Sequence, residues 1–469
     1  MKIWLNRFAF CGLWLGALLL LGVPTAFPKE AESLLWRSQE NKVDAEIRSW
    51  DLQKLLGEIS AATGWQVFLE PDTQHTVSAT FKDLRPGDAL RLLLGDLNFA
   101  LLPQSNAPAK FFIYRTSLLE ATQLIAAAQD VKPPPRPSDL IPNELIVTLK
   151  PNAKETIDDI ARKLGAKVVG RADDLKAYRL QFEDEAATQS AREALEAYDS
   201  VEDVDSNFTV HGPTRTEKLA LSSPMPFSLR PKVSTDASRI VVGLIDTAVQ
   251  SLGPQMNEFM LSPLRVAGEP ASDVQQLSHG TSMAETILQG LSMASRDSEG
   301  SPVRILPVDV YGTQPNTTTF DVGKGVYAAI NGGATIINLS LGGDGESPFL
   351  NGIIQNAHKQ GVLFFGAAGN EPSTIPVYPA AYPDVVAVTA GDKKGNIAPY
   401  ANRGSFVDVV APGVSLVQFM NQSFLVSGTS AATAYVSGTA SAQRAAGKSA
   451  SEAEEFIRQA LAVKPPAKK

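Results

Sequence analysis

The feature that most constrains the fold is a series of short apolar runs in the C-terminal half of this 469-residue chain, each followed by a segment with helical spacing. Because the runs are apolar throughout and do not alternate with polar residues, a sheet made from them is expected to be buried on both faces. Strands are predicted at residues 240–245, 303–308, 335–340, 362–367 and 385–389. Strands that alternate with helices predict an α/β unit over residues 239–460, with a parallel sheet flanked by helices.

Two smaller α+β units are predicted upstream of this sheet. Residues 42–116 form two strand-and-helix halves, in which the first helix stops at Gly64, a residue suited to a left-handed helix end, and the second begins at Pro86. Residues 141–211 follow the order strand, helix, strand, strand, helix, strand, which is typical of a ferredoxin-like fold.

Linkers are predicted on both sides of the second small unit. Residues 117–140 are expected to hold a helix and then a semi-rigid spacer, because four of the seven residues from Val131 to Pro137 are proline and donate no backbone hydrogen bond. Residues 212–238 are expected to be an exposed linker, since glycine and proline recur there in a polar stretch.

Residues 1–32 have the layout of a secretory signal peptide. Lys2 and Arg7 precede a long apolar run, and Glu30 is the first acidic residue. An uncleaved membrane anchor is the alternative, although the run is somewhat short to span a bilayer. Either case predicts an exported protein that is periplasmic, secreted or anchored to the membrane. Cys11, the one cysteine, lies in this segment, so the processed chain could form no disulfide.

The charge of the chain excludes one class of partner. The formal net charge is -8 at pH 7. A nucleic-acid-binding protein needs concentrated lysine and arginine to contact phosphates, and this chain lacks such a concentration. No nucleic acid partner is therefore expected.

Three polar residues at the edges of apolar segments are the candidates for chemistry. Asp246 ends the first strand of the α/β unit, His279 precedes an apolar helix, and Ser430 lies in a Gly-Thr-Ser segment. A carboxylate, an imidazole and a hydroxyl are the three parts of an activated serine nucleophile. Taken singly, Asp246 could equally cap the turn after its strand, and a lone Gly-Thr-Ser is a weak signal.

Together, the three motifs resemble those of the subtilisin-like serine peptidases, the subtilases, in which the order along the chain is also Asp, His, Ser. The resemblance covers residues 239–445 and implies peptide-bond hydrolysis, with Asp246 orienting His279, His279 as general base and Ser430 as nucleophile. It also implies that Asn370, which ends a Gly-Ala-Ala-Gly-Asn block, donates its side-chain N–H to the oxyanion. By itself Asn370 could instead cap a turn.

The same resemblance implies a substrate-binding surface. A peptide is expected to pair as an extra strand with a Ser-Leu-Gly-Gly run, and small uncharged residues are expected to form the opposite wall of the first specificity pocket. These residues are Ser340, Leu341, Gly342 and Gly343 on the first side and Ala367, Ala368 and Gly369 on the other. Such walls favour a mid-sized or large apolar side chain at the cleaved position.

Three positions depart from the motifs of the family. Ala248 and Glu285 stand where glycine is usual, and Ala434 stands where proline is usual. We expect a shifted turn at Ala248 or a conformation that alanine can reach, and a local shift or a hydrogen-bonded side chain at Glu285. Because of these departures, an alternative function is a catalytically silent peptide-binding or envelope-docking scaffold with the same fold. An esterase with the same nucleophile is a further alternative, because ester and amide acyl transfer share a mechanism.

The two upstream units carry weaker resemblances. Residues 141–211 are similar to the inhibitory propeptide of subtilases, which implies a self-processing precursor cut within residues 211–227; a small ligand-binding domain is the alternative. Residues 42–116 resemble the short N-terminal domain of secretins and TonB-dependent receptors, which implies a cell-envelope partner; a small domain without any partner is the alternative.

The expected partners are therefore a polypeptide substrate, the chain's own propeptide and an envelope partner bound through residues 42–116. No cofactor is expected. Calcium binding is implied by the family resemblance only, because the chain has no compact acidic run with loop-like ligand spacing.

Overall fold

The computed structural model describes residues 33–37, 40–71, 73–102, 109–116, 123–125, 139–212, 217–219, 229–232, 239–269, 276–295, 300–392 and 395–463. The predicted signal or anchor segment, the Pro-rich spacer and most of the second linker lie outside these residues. Within the described ranges, no helix combines the length and the apolar character needed to cross a membrane.

The N-terminal unit contains two small sheets and two helices. Its strands are β1 (Ser33–Arg37), β2 (Lys42–Asp51), β3 (Gln66–Leu69), β4 (Thr76–Leu84), β5 (Asn98–Leu102), β6 (Lys110–Tyr114) and β7 (Gln123–Ile125), and its helices are α1 (Leu52–Thr63) and α2 (Pro86–Leu94). The strand orders are β1-β2-β4 and β5-β6-β3-β7. Gly64 ends α1 with φ +71°, as its position predicts.

One prediction for this region is wrong. Where a helix was predicted within residues 117–140, the described residues 123–125 form β7, which pairs antiparallel with β3. The reason is tertiary: β7 adds to an otherwise open edge of the second sheet and buries Ile125 in the core. The resemblance of this unit to the secretin domain stays a prediction.

The middle unit has the predicted ferredoxin-like order. It consists of β8 (Leu140–Leu149), α3 (Ile157–Lys163), β9 (Lys167–Ala172), β10 (Ala177–Gln181), α4 (Glu185–Leu195) and β11 (Val201–Val210). These four strands lie side by side in the order β11-β8-β10-β9, with all three pairings antiparallel. Thr156 and Asp184 begin the two helices by accepting hydrogen bonds from the backbone three residues on.

The C-terminal unit is a seven-stranded parallel sheet between helices. Its elements are β13 (Ile240–Asp246), α5 (Pro254–Asn257), β14 (Leu264–Arg265), α6 (His279–Ala294), β15 (Val303–Asp309), β16 (Thr317–Thr318), α7 (Thr319–Asn331), β17 (Ile336–Leu339), α8 (Pro348–His358), β18 (Leu363–Ala367), β19 (Val386–Gly391), β20 (Val409–Pro412), β21 (Val414–Phe419), β22 (Gln422–Ser427), α9 (Thr429–Ala445) and α10 (Ala450–Ala460). A short strand from the preceding linker, β12 (Glu217–Leu219), pairs with β22.

The strand order of this sheet is β14-β15-β13-β17-β18-β19-β20, which is a subtilisin-like α/β arrangement. Helices α6 and α9 cover one face with the larger apolar cluster, and α7 and α8 cover the other. The sheet is thus buried on both faces, as predicted. The two edge strands, β14 and β20, were not predicted, because they are short and β20 ends in proline.

The carboxyl ends of the central strands meet at one edge of this sheet. From β13 the chain continues to β14 and β15 on one side of the sheet and then to β17, β18, β19 and β20 on the other, so loops after neighbouring strands open a crevice there. Asp246 ends β13, Ser340 follows β17 and Asn370 comes shortly after β18. The candidate residues are therefore gathered at the edge where α/β sheets bind ligands.

Candidate active site

Asp246 is the last residue of β13, and it is 1% exposed. Strands β15 and β17 flank β13, so the carboxylate lies at the centre of the carboxyl edge of the sheet. The backbone N–H of Thr247 donates to Asp246 Oδ1 at 2.7 Å. A carboxylate buried to this extent needs a further donor or a positive charge nearby.

His279 supplies that donor. Its ring Nδ1 lies 2.8 Å from Asp246 Oδ1 and 2.9 Å from Asp246 Oδ2. His279 is the first residue of α6, and Ser278 caps this helix with its hydroxyl, which accepts from Thr281 N at 3.1 Å. Because Nδ1 faces the carboxylate, Nε2 is the ring nitrogen left for a second partner.

The start of α6 packs closely on the turn after β13, and Gly280 makes this contact feasible. A Cβ atom on Gly280 would lie 2.1 Å from Thr247 O. The hydroxyl of Ser278 donates to Ala248 O at 2.7 Å and so holds the same turn. Ala248 is not among the residues with positive φ, so alanine fits here without backbone strain.

Ser430 is the second residue of α9, which follows Gly428 with φ +144°. Its hydroxyl donates to the carbonyl of Ser340 at 3.2 Å. Although both side chains lie in the described part of the chain, no hydrogen bond joins Ser430 to His279. A rotation about the Cα–Cβ bond of Ser430 is needed to direct the hydroxyl toward the imidazole.

Asn370 is held beside the first turn of α9. Its Oδ1 accepts from Thr429 N at 2.8 Å and from Thr429 Oγ1 at 3.1 Å. With the amide oxygen engaged, the amide nitrogen is the group that can donate to a ligand. A Cβ atom on Gly428 would lie 3.1 Å from this nitrogen, so the amide and the turn before Ser430 are in close contact.

A groove of about 580 Å³ runs past these residues. Most of the residues predicted to bind substrate line it: Ser340, Leu341, Gly342 and Gly343 on one wall, and Ala367, Gly369 and Asn370 on the other. Ala368 differs from its prediction, because it is fully buried and its N–H donates to Val388 O at 2.9 Å. This hydrogen bond continues the pairing of β18 with β19 and keeps the side chain in the core.

Comparisons with known proteins fit this geometry. A model of the subtilase family matches residues 237–464. A thermophilic serine proteinase of Bacillus sp. (strain AK1) is 30% identical over 230 residues, which are 48% of this chain and 57% of that protein. Thermitase from Thermoactinomyces vulgaris is 31% identical over 226 residues, which are 47% of this chain and 81% of that protein. The chain belongs to the subtilase family.

The upstream part of this subtilase is also matched. A model of the fervidolysin N-terminal prodomain matches residues 126–207. The chain is thus a subtilase serine protease with a fervidolysin-like prodomain, which is its partner within the same chain. An epidermin leader peptide processing serine protease from Staphylococcus aureus shares the fold, with a TM-score of 0.50, 17% identity, and coverage of 68% of this chain and 93% of that chain.

The prodomain of this subtilase caps two helices of the protease domain. Asn207 Oδ1 accepts from Thr319 Oγ1 at 3.1 Å and from Phe320 N at 3.3 Å, at the start of α7. Asp205 accepts a hydrogen bond from the backbone N–H of Phe349 in the first turn of α8, and burial raises the pKa of Asp205 to about 6. Both contacts satisfy backbone donors that a helix start leaves open.

Asp139 is a residue that sequence reasoning overlooked. Its carboxylate is 4% exposed; Oδ1 lies 2.7 Å from His211 Nε2, and Oδ2 accepts from Asp344 N at 2.6 Å. Its carbonyl accepts from Thr209 N at 2.7 Å. Asp139 therefore fastens the end of the prodomain to the groove. One acidic residue after a Pro-rich stretch carries no sequence signal that could have revealed this.

Glu285 occupies the position where the family usually has glycine, and the structure accommodates it by hydrogen bonding. The side chain is buried on α6, with Oε1 and Oε2 at 3.1 and 3.0 Å from Gln418 N on β21. Gln289 Nε2 donates to Oε1 at 3.3 Å. Glu285 thus ties α6 to the β21–β22 hairpin that leads to Ser430.

Proposed function

We propose that this subtilase is an exported endopeptidase that hydrolyses peptide bonds with Asp246, His279 and Ser430, with Asn370 as an oxyanion donor. The observation that carries the proposal is the contact of His279 Nδ1 with both oxygens of the buried Asp246. This contact fixes the ring so that Nε2 is the proton acceptor, and Ser430 lies in the first turn of α9, which packs against α6.

The chemistry follows from these positions. Ser430 Oγ attacks the scissile carbonyl while its proton moves to His279 Nε2, and Asp246 stabilises the imidazolium through Nδ1–H. The negative charge that forms on the carbonyl oxygen is met by the Ser430 N–H and the side-chain N–H of Asn370. His279 then protonates the leaving amine, and water releases the acyl group by the same steps in reverse.

No metal is needed for any step. Among the residues that the structure describes, no group of three or more His, Cys, Asp or Glu side chains could hold a metal ion. Calcium binding remains an implication of the family resemblance.

We also propose that the chain is made as a precursor that cuts itself. Support comes from the path of the chain: His211 pairs with Gly342 in the groove, and the chain reappears as β12, where Glu217 pairs with Leu425, five residues before Ser430. Five residues separate His211 from Glu217 in the sequence, so the two positions can lie at most roughly 22 Å apart. The two pairing partners, Gly342 in the groove and Leu425 in the strand that precedes α9, therefore support a cut within residues 211–227 by Ser430.

Expression of the full chain and of a Ser430→Ala variant tests both proposals, with N-terminal sequencing of the products. We expect the wild type to be cut within residues 211–227 and the variant to remain intact. Ser451→Ala, at an exposed position of α10, is the matched control and is expected to be processed normally. Equal processing of wild type and Ser430→Ala rejects self-cleavage by Ser430. An unprocessed wild type that also fails to cut casein indicates a silent scaffold.

Export is proposed on sequence grounds. Residues 1–32 combine basic residues with an apolar run, which is the composition of a secretory signal or anchor. A destination in the periplasm, in the medium or at the membrane follows, with residues 42–116 available to bind an envelope partner. Cell fractionation of a tagged chain tests this: recovery with the cytosolic fraction alone contradicts export.

A further inference from the structure

The end of the prodomain lies in the groove as a substrate would. Thr209 and Val210 pair antiparallel with Thr318 and Thr317 of β16, and His211 forms an antiparallel bridge with Gly342. The segment is therefore bound between two edges of the protease domain as an added strand, the mode by which sheet edges bind extended peptides.

This pairing fixes which bond meets the nucleophile. In an antiparallel register, a step of two residues along one chain matches a step of two back along the other. Since His211 faces Gly342, a peptide bound in this register presents to Ser340 the residue two positions after the one that faces Gly342. The carbonyl of Ser340 accepts the hydrogen bond from Ser430 Oγ at 3.2 Å. In a peptide held in this register, that residue is the one whose carbonyl would be attacked, and the residue in the place of Gly212 is its upstream neighbour.

The groove is closed around Gly212. A Cβ atom at this position would lie 1.9 Å from the backbone oxygen of Pro315 and 3.1 Å from its carbonyl carbon. Gly212 N donates to Asn316 Oδ1 at 3.1 Å, which keeps the segment against this wall. A backbone oxygen cannot move aside by a side-chain rotation, so any side chain larger than hydrogen at Gly212 requires the loop to shift.

That loop is held on both sides. Gln314 N donates to Tyr311 O at 3.0 Å, which closes a turn before Pro315. Thr317 Oγ1 donates to Val310 O at 2.5 Å after it. Both anchors lie within the protease domain and involve no atom of the prodomain. The same restriction is therefore expected for other peptides that bind in this register.

We propose that this protease selects polypeptides with glycine immediately upstream of the residue whose carbonyl is attacked, and that the backbone oxygen of Pro315 imposes the selection. The inference rests on the proposed peptidase activity of Ser430. It adds a requirement for glycine at one substrate position, which the Pro315 loop of the protease domain imposes.

Two quenched fluorescent peptides test the proposal with the mature enzyme. One is Thr-Val-His-Gly-Ala-Thr-Arg, taken from the segment after Phe208 with alanine in place of the proline at 213, and the other replaces its glycine by alanine. We expect kcat/KM to be at least about tenfold lower for the alanine peptide. We expect mass spectrometry to show that the glycine peptide is cut between its Ala and its second Thr.

Variants then connect the effect to the wall. Pro315→Gly loosens the loop and is expected to bring the two kcat/KM values closer together. Pro263→Gly, at an exposed position away from the groove, is the matched control and is expected to leave their ratio unchanged.

The outcomes separate this inference from the proposal on which it rests. Equal kcat/KM values for cuts at the same bond, in an enzyme whose Ser430 reacts with a fluorophosphonate, overturn the glycine selection and leave the peptidase intact. If neither peptide nor casein is cut and Ser430 does not react, both proposals fail together.

Discussion

Replacement of the buried Glu285 by glutamine is predicted to remove a pH dependence of stability. Glu285 is 3% exposed, and among the residues that the structure describes its carboxylate accepts hydrogen bonds only from the backbone N–H of Gln418 and the side chain of Gln289. Burial raises the pKa of Glu285 from 4.5 to about 7, against the smaller lowering effect of these two donors. The folded protein therefore holds the proton more tightly than the unfolded chain.

The sign and size of the effect follow from this difference. A carboxyl whose pKa is raised on folding contributes stability that is fully present below its unfolded pKa, here 4.5, and is lost as the pH rises through about 7. A difference of about 2.5 pKa units corresponds to ~3 kcal/mol. Ionisation of Glu285 alone should therefore lower the free energy of unfolding by ~3 kcal/mol between pH 4.5 and pH 8.5.

Glu285→Gln retains the shape of the side chain and an oxygen for Gln418 N, but it cannot ionise. We expect its free energy of unfolding to match the parent near pH 5 and to exceed it by ~3 kcal/mol at pH 8.5. Urea titrations should be followed by circular dichroism, because all five tryptophans lie at or before Trp65 and do not report on the protease domain. A Ser430→Ala background prevents self-digestion.

Glu455→Gln, at an exposed position of α10, is the control and is expected to follow the pH profile of its parent. Other groups such as Asp205 titrate in the same range, so the difference between the Glu285→Gln variant and its parent is the quantity to compare. If that difference is the same at pH 5 and pH 8.5, the reasoning about the buried carboxyl is wrong.

Three further predictions follow from the site and from the prodomain interface. Asn370→Ala should lower kcat by roughly 10²- to 10³-fold with little change in KM, a magnitude measured for the equivalent donor of subtilisin itself; a KM effect alone contradicts the oxyanion role. Gly280→Ala places a Cβ atom 2.1 Å from Thr247 O and should displace His279, so fluorophosphonate labelling should slow at least about 100-fold while the secondary structure remains; unchanged labelling refutes it. Asp205→Asn should slow prodomain release at pH 8 but not at pH 5, because the docked carboxyl has a pKa of about 6 and ionises above it; equal release rates at pH 8 contradict this prediction.

The sequence was sufficient for features that depend on local pattern. The five predicted strands of the protease domain all form, and the βαββαβ order of residues 141–211 is observed, because apolar runs and helical spacing are determined within a few residues. The start of α6 at His279 could likewise be read from the residues around it, since its cap, Ser278, immediately precedes it.

Features that depend on distant partners could not be read from the sequence. β7 is a strand only because β3 offers it an edge, and β12 only because β22 does. Asp139 gains its role from contacts with His211 and Asp344, which are 72 and 205 residues away along the chain. The side chain of Ala368 points into the core because of a hydrogen bond to a neighbouring strand, whereas its position in the motif predicted the groove.

The most direct test of the account is to map the residue that reacts with a fluorophosphonate in the mature wild-type enzyme and to compare its labelling rate with that of His279→Ala. We expect a single adduct on Ser430, identified by mass spectrometry, and a loss of at least about 10³-fold in the labelling rate of the variant. An adduct on another serine, or equal rates for the two proteins, would contradict the claim that Asp246 and His279 activate Ser430.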